Sequence, residues 1–575
     1  MIGLPCPRFG LSELYRCGFL KIKRIMKRTT HPAVTGAGFS FVCCLGALAP
    51  LLSPNHRWIY HHSDSPVRAV IPLVITLLMV WLASTLLLLS VRKYRRLAVS
   101  ALPILVLYAA WGLLKEIAIH REWHMPGQAD RAIYIAIGLC WIGLMLPWRR
   151  SRLRQLLRIQ GLSNSVLCCM AFCGFLAALQ LMWVLAGHRP SPRGWHDSTA
   201  VVAKAELATR PRIIWIILDE LSYQQLFENR SPTLNLPTFD RLANESTVFT
   251  HVVPAGKWTE VAVPSLMGGV QVDAISVSAD GNLKSLHDTA TGQWQSFRSR
   301  DTVFQDARSR GFHTAVAGWY NPYCRILAEV LDACHWTSRE VFAGGLVSDA
   351  TVFQNVKGTL ICFLSTLGIL RSERSQPDES PAAENHIADY REMVDAGDRL
   401  LENPSFDFLF LHVPIPHPGG IYDRRSGSFT THGSSYVDNL ALADLYLAHV
   451  RQILEQHREW DTSAVIVMGD HSWRTQMIWK NSPFWTPEDE AASRGGEFDD
   501  RPAYIVKLPH QTEAAKVEAS FPAVRTRALL DGILDGRIRT VPELTSFVVQ
   551  PPMQDSQSKM LVSQVEGATI HSHGR

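Results

Sequence analysis

Five apolar runs in the first third of the chain constrain its architecture more than anything that follows. They cover residues 33–52, 69–91, 97–114, 132–148 and 159–187. A helix that crosses a bilayer needs roughly 20 mostly apolar residues, within a range of about 17–25, and all five runs qualify. A buried helix in a soluble core would account for any one of them alone. Five in succession, joined by short polar connections, predict an all-α five-helix transmembrane domain over 31–188. No A-x-A-like cleavage site follows the first run and more spans come after it, so it does not read as a removable signal sequence.

Lysine and arginine set the orientation, because basic residues concentrate on the cytoplasmic side of spans. The tail over 1–30 carries Arg8, Arg16, Lys21, Lys23, Arg24, Lys27 and Arg28. The connection after the second run carries Arg92, Lys93, Arg95 and Arg96, and the one after the fourth carries Arg149, Arg150, Arg152, Arg154 and Arg158. The alternate connections hold Arg57 and Arg68, then Lys115, Arg121 and Arg131. Sixteen against five predicts a cytoplasmic N-terminus, with everything after about residue 188 outside the inner membrane, on the periplasmic or extracellular side. The formal net charge of +5 is therefore topogenic and calls for no nucleic-acid partner. Of the 11 cysteines, Cys324, Cys334 and Cys362 lie in the exported part. An oxidising compartment permits a disulfide there. Cys324–Cys334 is a candidate pair, and its pairing stays open at this point.

The Pro- and Gly-rich segment "GHRPSPRGWHDS" begins a linker over 189–210, followed by a domain over 211–550 and a polar tail over 551–575. Within the domain, "RIIWIILDE" (212–220), "FDFLFLHVPIPH" (406–417) and "AVIVMGDH" (464–471) are continuous apolar runs, with "HTAVAGWY" and "AYIVKLP" as weaker examples. Continuous runs of this length fit parallel strands covered on both faces. Helix-like stretches alternate with them: "LPTFDRLANES", "DTVFQDARSRGF" and "YVDNLALADLYLAHVRQILEQH". This is the pattern of an α/β domain with a mainly parallel sheet flanked by helices. "RSERSQPDESPAAENH" (371–386) reads as a polar loop, and "GTLICFLSTLGIL" (358–370) as a helix either buried or laid against the membrane.

Three of these runs end in groups that are costly to bury. Asp219 and Glu220 end the first, His412 and His417 the second, Asp470 and His471 the third. Ligands of open α/β sheets gather at the carboxyl ends of the strands. Taken singly, each group has a plain structural reading as a cap or a satisfied loop residue. Together they form a hard-to-borderline donor set that suits zinc, manganese or magnesium, with calcium also possible. Asp470 and His471 are the leading metal ligands. Asp219 is favoured over Glu220 because it comes first after the strand.

The ordered blocks "IIWIILDELS", "PTFDRLANESTVFTHVVPAGKWTEVAVPSLMGG", "FLHVPIPHPGGIY", "MGDHSW" and "RPAYIVKLP" resemble the alkaline phosphatase superfamily in its sulfatase-like branch, over about 211–545. Five membrane helices ahead of an external catalytic domain are shared by two of its subfamilies, the lipoteichoic acid synthases and the lipid A phosphoethanolamine transferases. The resemblance implies a metal-bound hydroxyl as nucleophile. In the phosphoethanolamine transferases a Thr stands five residues before a Pro, which here places Thr259 in "WTEVAVPSLMGG". Thr259 would also serve as an N-cap, and Ser265 is the second candidate. The resemblance further implies Asp219 or Glu220, Thr259, Asp470 and His471 around the metal, with His412, His417 and Arg474 as substrate contacts. Formylglycine sulfatases need Cys or Ser two residues before that Pro and Arg two after. This chain has Ala262 and Leu266 there. The transferases also carry a later His, whereas "DHSWRTQMIWKNSPFW" has none before His510. The expected function is transfer of a phospho-headgroup from a membrane phospholipid to a lipid or glycan acceptor. An ester hydrolase using water and a catalytically degenerate scaffold are the alternatives.

Overall fold

The computed structural model describes residues 31–44, 66–91, 150–187, 194–196, 210–278, 281–339, 341–342, 346–347, 350–366 and 379–550, with scattered positions between 48 and 142. The basic tail over 1–30, most of the runs at 97–114 and 132–148, most of the linker and the tail from 551 lie outside the described residues.

Among the described residues, three helices form the apolar N-terminal part: α1 (Pro32–Cys43), α2 (Pro66–Val91) and α3 (Arg150–Gly187). Two stretches, Val70–Ser90 and Ile159–Trp183, are long and apolar enough to cross a bilayer. Their outward faces carry Leu82, Leu86, Leu162, Phe172, Phe175 and Trp183, the last 78% exposed. A contiguous apolar surface of this kind marks contact with lipid or a partner rather than with water. Five spans are not established; two of the five runs supply helices of full length among the described residues. Contacts between the helices are polar as well as apolar. Ser40 Oγ donates to the Leu77 carbonyl at 2.8 Å, and Trp81 Nε1 to that of Ala33 at 2.7 Å. Gly38 permits the closest approach: a Cβ there would stand 1.8 Å from the Leu167 carbonyl oxygen. Small residues at helix interfaces allow such backbone proximity in lipid.

The α/β domain is built on a nine-stranded sheet among the described residues: β1 (Gly194–His196), β2 (Ile213–Leu218), β3 (Thr247–Phe249), β4 (Thr314–Trp319), β5 (Ala333–Thr337), β6 (Phe408–Val413), β7 (Ala464–Met468), β8 (Tyr504–Lys507) and β9 (Ala515–Val517). Their order in the sheet is β1-β5-β4-β6-β2-β7-β8-β3-β9. The five strands from β5 to β7 run parallel, whereas β8 is antiparallel to both of its neighbours and β1 to β5. Alternation explains the continuous apolar runs. Ile214, Ile216 and Leu218 face one core with Leu409, Leu411, Val465 and Val467. Ile213, Trp215 and Ile217 face the other with Phe408, Phe410, Ile466 and Met468. Fully burying each such side chain stabilises the fold by roughly 1.5–3 kcal/mol.

Two readings from the sequence change here. The segment 371–386 is not a loop throughout, because a helix runs over Glu379–Leu401. Ile387, Tyr390, Met393, Ala396 and Leu400 recur at helical spacing and are buried against the sheet. The linker is also not free along its whole length, since β1 pairs with the sheet edge at Trp195↔Cys334. Cys324 and Cys334 form a disulfide with Cα atoms 5.5 Å apart. The apolar stretch from 358 belongs to a helix over Val352–Thr366 that packs on α2. Thr359 Oγ1 lies 2.6 Å from Thr76 Oγ1, with both side chains buried. Phe363 packs against Phe39, Cys43 and Leu167.

Candidate metal centre

The central parallel strands deliver their C-termini to one edge, and the side chains there follow from strand registry. Met468 of β7 pairs with Ile217 of β2, so Asp219 and Asp470 emerge side by side. Gly469 makes that approach possible, because a Cβ on it would lie 2.6 Å from the Leu221 carbonyl oxygen. Glu220 adopts φ +63°, a conformation unfavourable for a residue with a Cβ. Its amide donates to Asp470 Oδ1 at 3.2 Å, and its carbonyl accepts from the Tyr436 hydroxyl at 2.7 Å. These bonds turn the chain so that Asp219 and Glu220 point to different partners.

Asp219, Asp470 and His471 are all buried, and one donor atom from each lies within 4.8 Å of the others. The His471 Nδ1–H donates to the Ser472 carbonyl at 3.2 Å, which leaves Nε2 with its lone pair. Burial, then the nearby Arg474 charge, holds this imidazole well below its usual pKa, so it is neutral. The lone pair faces Asp470 Oδ2 at 3.1 Å and Thr259 Oγ1 at 3.3 Å. Asp219 Oδ1 and Asp470 Oδ2 accept no hydrogen bond among the described residues. Burial, then the neighbouring Asp470 and Glu220, raises the Asp219 carboxyl well above the ordinary range. Lone pairs and carboxylates that converge without protons between them are costly to bury. A divalent cation removes that cost, and two carboxylates with one imidazole are suitable donors for it.

Thr259 opens the helix Thr259–Gly268 and points its hydroxyl at this cluster, 3.5 Å from Asp219 Oδ2. Trp258, rather than Thr259, occupies the N-cap position, and Thr259 makes no side-chain cap bond. The plain capping role considered for Thr259 is therefore not the one it has. Ser265 is turned away: its hydroxyl donates to the Val261 carbonyl at 2.7 Å and accepts from the Val272 amide at 3.0 Å.

The remaining expected site residues fall into different places. Glu220 lies within 4.0 Å of His417 Nε2. Its carboxylate, however, is taken up by Arg474 Nε at 2.7 Å and by Trp479 Nε1 at 2.9 and 3.0 Å. That occupancy leaves Asp219 as the carboxylate turned to the cluster. Arg474 is buried and spends its guanidinium on Glu220 and on the Trp258 ring, 5.0 Å away. His412 is fully buried behind Asp219, with Nδ1 2.7 Å from the Tyr323 hydroxyl and Nε2 4.0 Å from Asp219 Oδ2. Burial lowers its pKa to about 4. Arg474 and His412 are thus both buried beside the acidic cluster. His417 is the most exposed of the three, with 22% of its side chain exposed. Its Nδ1–H donates to the Pro418 carbonyl at 2.8 Å, so Nε2 is the basic atom. Burial, then Arg474, lowers its pKa well below the usual value.

Asn321, Tyr323, Tyr436 and Trp479 were not anticipated. Asn321 Nδ2 donates to the Thr259 carbonyl at 3.4 Å. It stands just past the end of β4, on the same sheet edge as the acids, and that position is the signal that could have found it.

The family model described as Sulfatase matches residues 211–502. No curated protein matches the chain. Among solved structures, the chain is similar to the PsFucS1 sulfatase from Pseudoalteromonas sp., at 14% identity over 60% of this chain and 73% of that one, with a TM-score of 0.38. It is also similar to a phosphonate monoester hydrolase of Agrobacterium radiobacter, at 13% identity over 60% and 78%, with a TM-score of 0.34. The lipoteichoic acid synthase LtaP from Listeria monocytogenes matches at 13% identity over 57% and 72%, also with a TM-score of 0.34.

Proposed function

Because the chain belongs to the sulfatase family, we propose that it is a membrane-anchored, metal-dependent phospho-group transferase with Thr259 as its nucleophile. The observation that carries this reading is the Thr259 hydroxyl, 3.3 Å from His471 Nε2 and 3.5 Å from Asp219 Oδ2 at the start of a helix. A helix N-terminus favours the negative charge of a phosphate. Asp219, Asp470 and His471 would hold the cation, zinc or manganese by the chemistry of the donors. When bound, the cation supplies Lewis-acid stabilisation of the charge that develops on the phosphoryl oxygens.

In the first half-reaction Thr259 Oγ forms a bond to phosphorus as the bond to the lipid alcohol breaks, and the hydroxyl proton ends on that alcohol. In the second, a hydroxyl of the acceptor forms the new bond to phosphorus and the bond to Thr259 breaks. His417 Nε2, which carries no proton, accepts the one lost by the acceptor, and a proton returns to the departing Thr259 oxygen, so the hydroxyl is restored. Ala262 and Leu266, standing where a formylglycine enzyme has its modified residue and Arg, favour this hydroxyl over a sulfate-ester mechanism. The apolar helices support a membrane phospholipid as donor, with a lipid or glycan as acceptor. The Cys324–Cys334 disulfide fits an oxidising side of that membrane.

Mass spectrometry tests the reading directly. Wild-type protein incubated with headgroup-labelled phospholipid should carry a phospho-headgroup on the peptide "WTEVAVPSLMGG", and Thr259→Ala should carry none while keeping its metal. Turnover should fall by several orders of magnitude, far beyond the loss of about 0.5–2 kcal/mol in stability that removing a cap would give. An active, normally metallated Thr259→Ala protein would rule the mechanism out. Free phosphorylated headgroup without a labelled acceptor would instead identify a hydrolase.

A further inference from the structure

We propose that His61, which belongs to the membrane part of the chain, is a positioning residue for Thr259. Tyr60 and His61 fall between α1 and α2, yet they are buried in the exported domain. Tyr60 has no exposed surface and sits in the core cluster with Trp336, Tyr323 and Val261. Arg325 Nη2 donates to the Tyr60 carbonyl at 2.6 Å. His61 is 2% exposed, and its ring packs on Tyr320 with centroids 4.1 Å apart.

The contacts of His61 close a ring around the nucleophile. Its Nδ1–H donates to the Tyr320 carbonyl at 3.2 Å, and Nε2 lies 3.4 Å from Glu260 Oε2. Glu260 follows Thr259 in the first turn of the helix. Tyr320 precedes Asn321, whose side chain donates to the Thr259 carbonyl. The path Thr259–Glu260–His61–Tyr320–Asn321–Thr259 is thus continuous through two peptide links and three polar contacts. Tyr320 has φ +71°, an unfavourable conformation for a residue with a Cβ, so its carbonyl direction has to be held from outside. His61 does this, and its Nε2 lies beside the second residue of the nucleophile helix. Misplacing a reacting group by about 1 Å can cost on the order of 100-fold in rate. A residue of the membrane part therefore sets the geometry of the exported hydroxyl, and the site is complete only when the two parts are docked.

This inference rests on Thr259 as nucleophile, and the test separates the two. Full-length protein in vesicles of phosphatidylethanolamine and phosphatidylglycerol is followed by the rate at which the Thr259 peptide gains a headgroup, as a function of donor content. His61→Ala should lower the maximal rate by about tenfold or more, with the half-saturating donor content within about twofold of wild type. Metal content should be unchanged. His61→Gln, whose amide can still donate to the Tyr320 carbonyl, should recover most of the rate. His61→Ala at the wild-type rate, or His61→Gln as impaired as His61→Ala, would overturn the proposal. If wild type forms no adduct, the transferase reading fails and amide exchange over residues 257–263 decides the positioning role. Faster exchange in His61→Ala but not in His61→Gln upholds it; exchange equal to wild type in His61→Ala overturns it.

Discussion

Asp470 and His471 contribute to the cluster through single donor atoms, so each can be changed with little disturbance to the packing of β7. Asp470→Asn and His471→Ala should each weaken metal binding by more than the ~10–100-fold typical of losing an outer partner. Metal analysis of purified protein measures this, and unchanged stoichiometry and affinity would make both residues plain loop caps. The pH dependence has a definite sign. Burial and Asp470 raise the Asp219 carboxyl, so below that raised pKa a proton competes with the cation for the same oxygen. Apparent affinity should therefore fall as pH is lowered and recover as it rises. The acids and His471 were legible in the sequence because apolar strands ended in them, which is costly without a ligand. Glu220 was not separable from Asp219, because its partners Arg474 and Trp479 come 254 and 259 residues later. His61 was illegible for a related reason: nothing local distinguishes a loop histidine that will meet Glu260 from one that faces water.

The helix over Glu379–Leu401 shows how one element is tied to its sheet. Its Glu392 accepts from His335 of β5 at 2.9 Å and pairs with Arg339, which also holds Asp389 at 2.7 Å. Burial alone would raise the Glu392 carboxyl, but the His335 and Arg339 hydrogen bonds and the guanidinium charge bring it down to about 2. A carboxyl depressed in the folded state stabilises it fully above the unfolded pKa, about 4.5, and loses that contribution as pH falls towards 2. Glu392→Gln should cost about 1–2 kcal/mol at pH 7, allowing for partial solvent screening, and should flatten the acid limb of stability. Denaturant midpoints of full-length protein across that window measure both. The same helix was missed in the sequence because Pro, Ser and acidic residues crowd its first turns, while its apolar positions only become a face once the sheet covers them. Strand identity and the mainly parallel direction were legible from unbroken apolar runs, but the antiparallel exceptions were not. Tyr504–Lys507 buries both of its faces just as its neighbours do and still runs antiparallel.

At the scale of the molecule, the α/β domain and the apolar helices meet through side chains hundreds of positions apart. The contact between Thr76 and Thr359 gives a direct measurement. Thr76→Cys combined with Thr359→Cys should form a disulfide under mild oxidation in native membranes, identified by mass spectrometry of the joined peptides. The single variants should not form it, and absence of the link in the double variant would show that the helix Val352–Thr366 does not lie along α2. The sequence left that helix between a core position and the membrane; Phe363 against Phe39, Cys43 and Leu167 assigns it to the apolar bundle. The buried Tyr60 carries a consequence for biosynthesis. Residue 60 leaves the ribosome long before the strands that enclose it, so the core of the domain closes around a ring made earlier in synthesis. A protease cutting near residue 200 would not shed an intact enzyme, because Tyr60 would still hold the domain. Pulling the domain free would leave an aromatic-sized hole in its core, at a cost of about 3–5 kcal/mol.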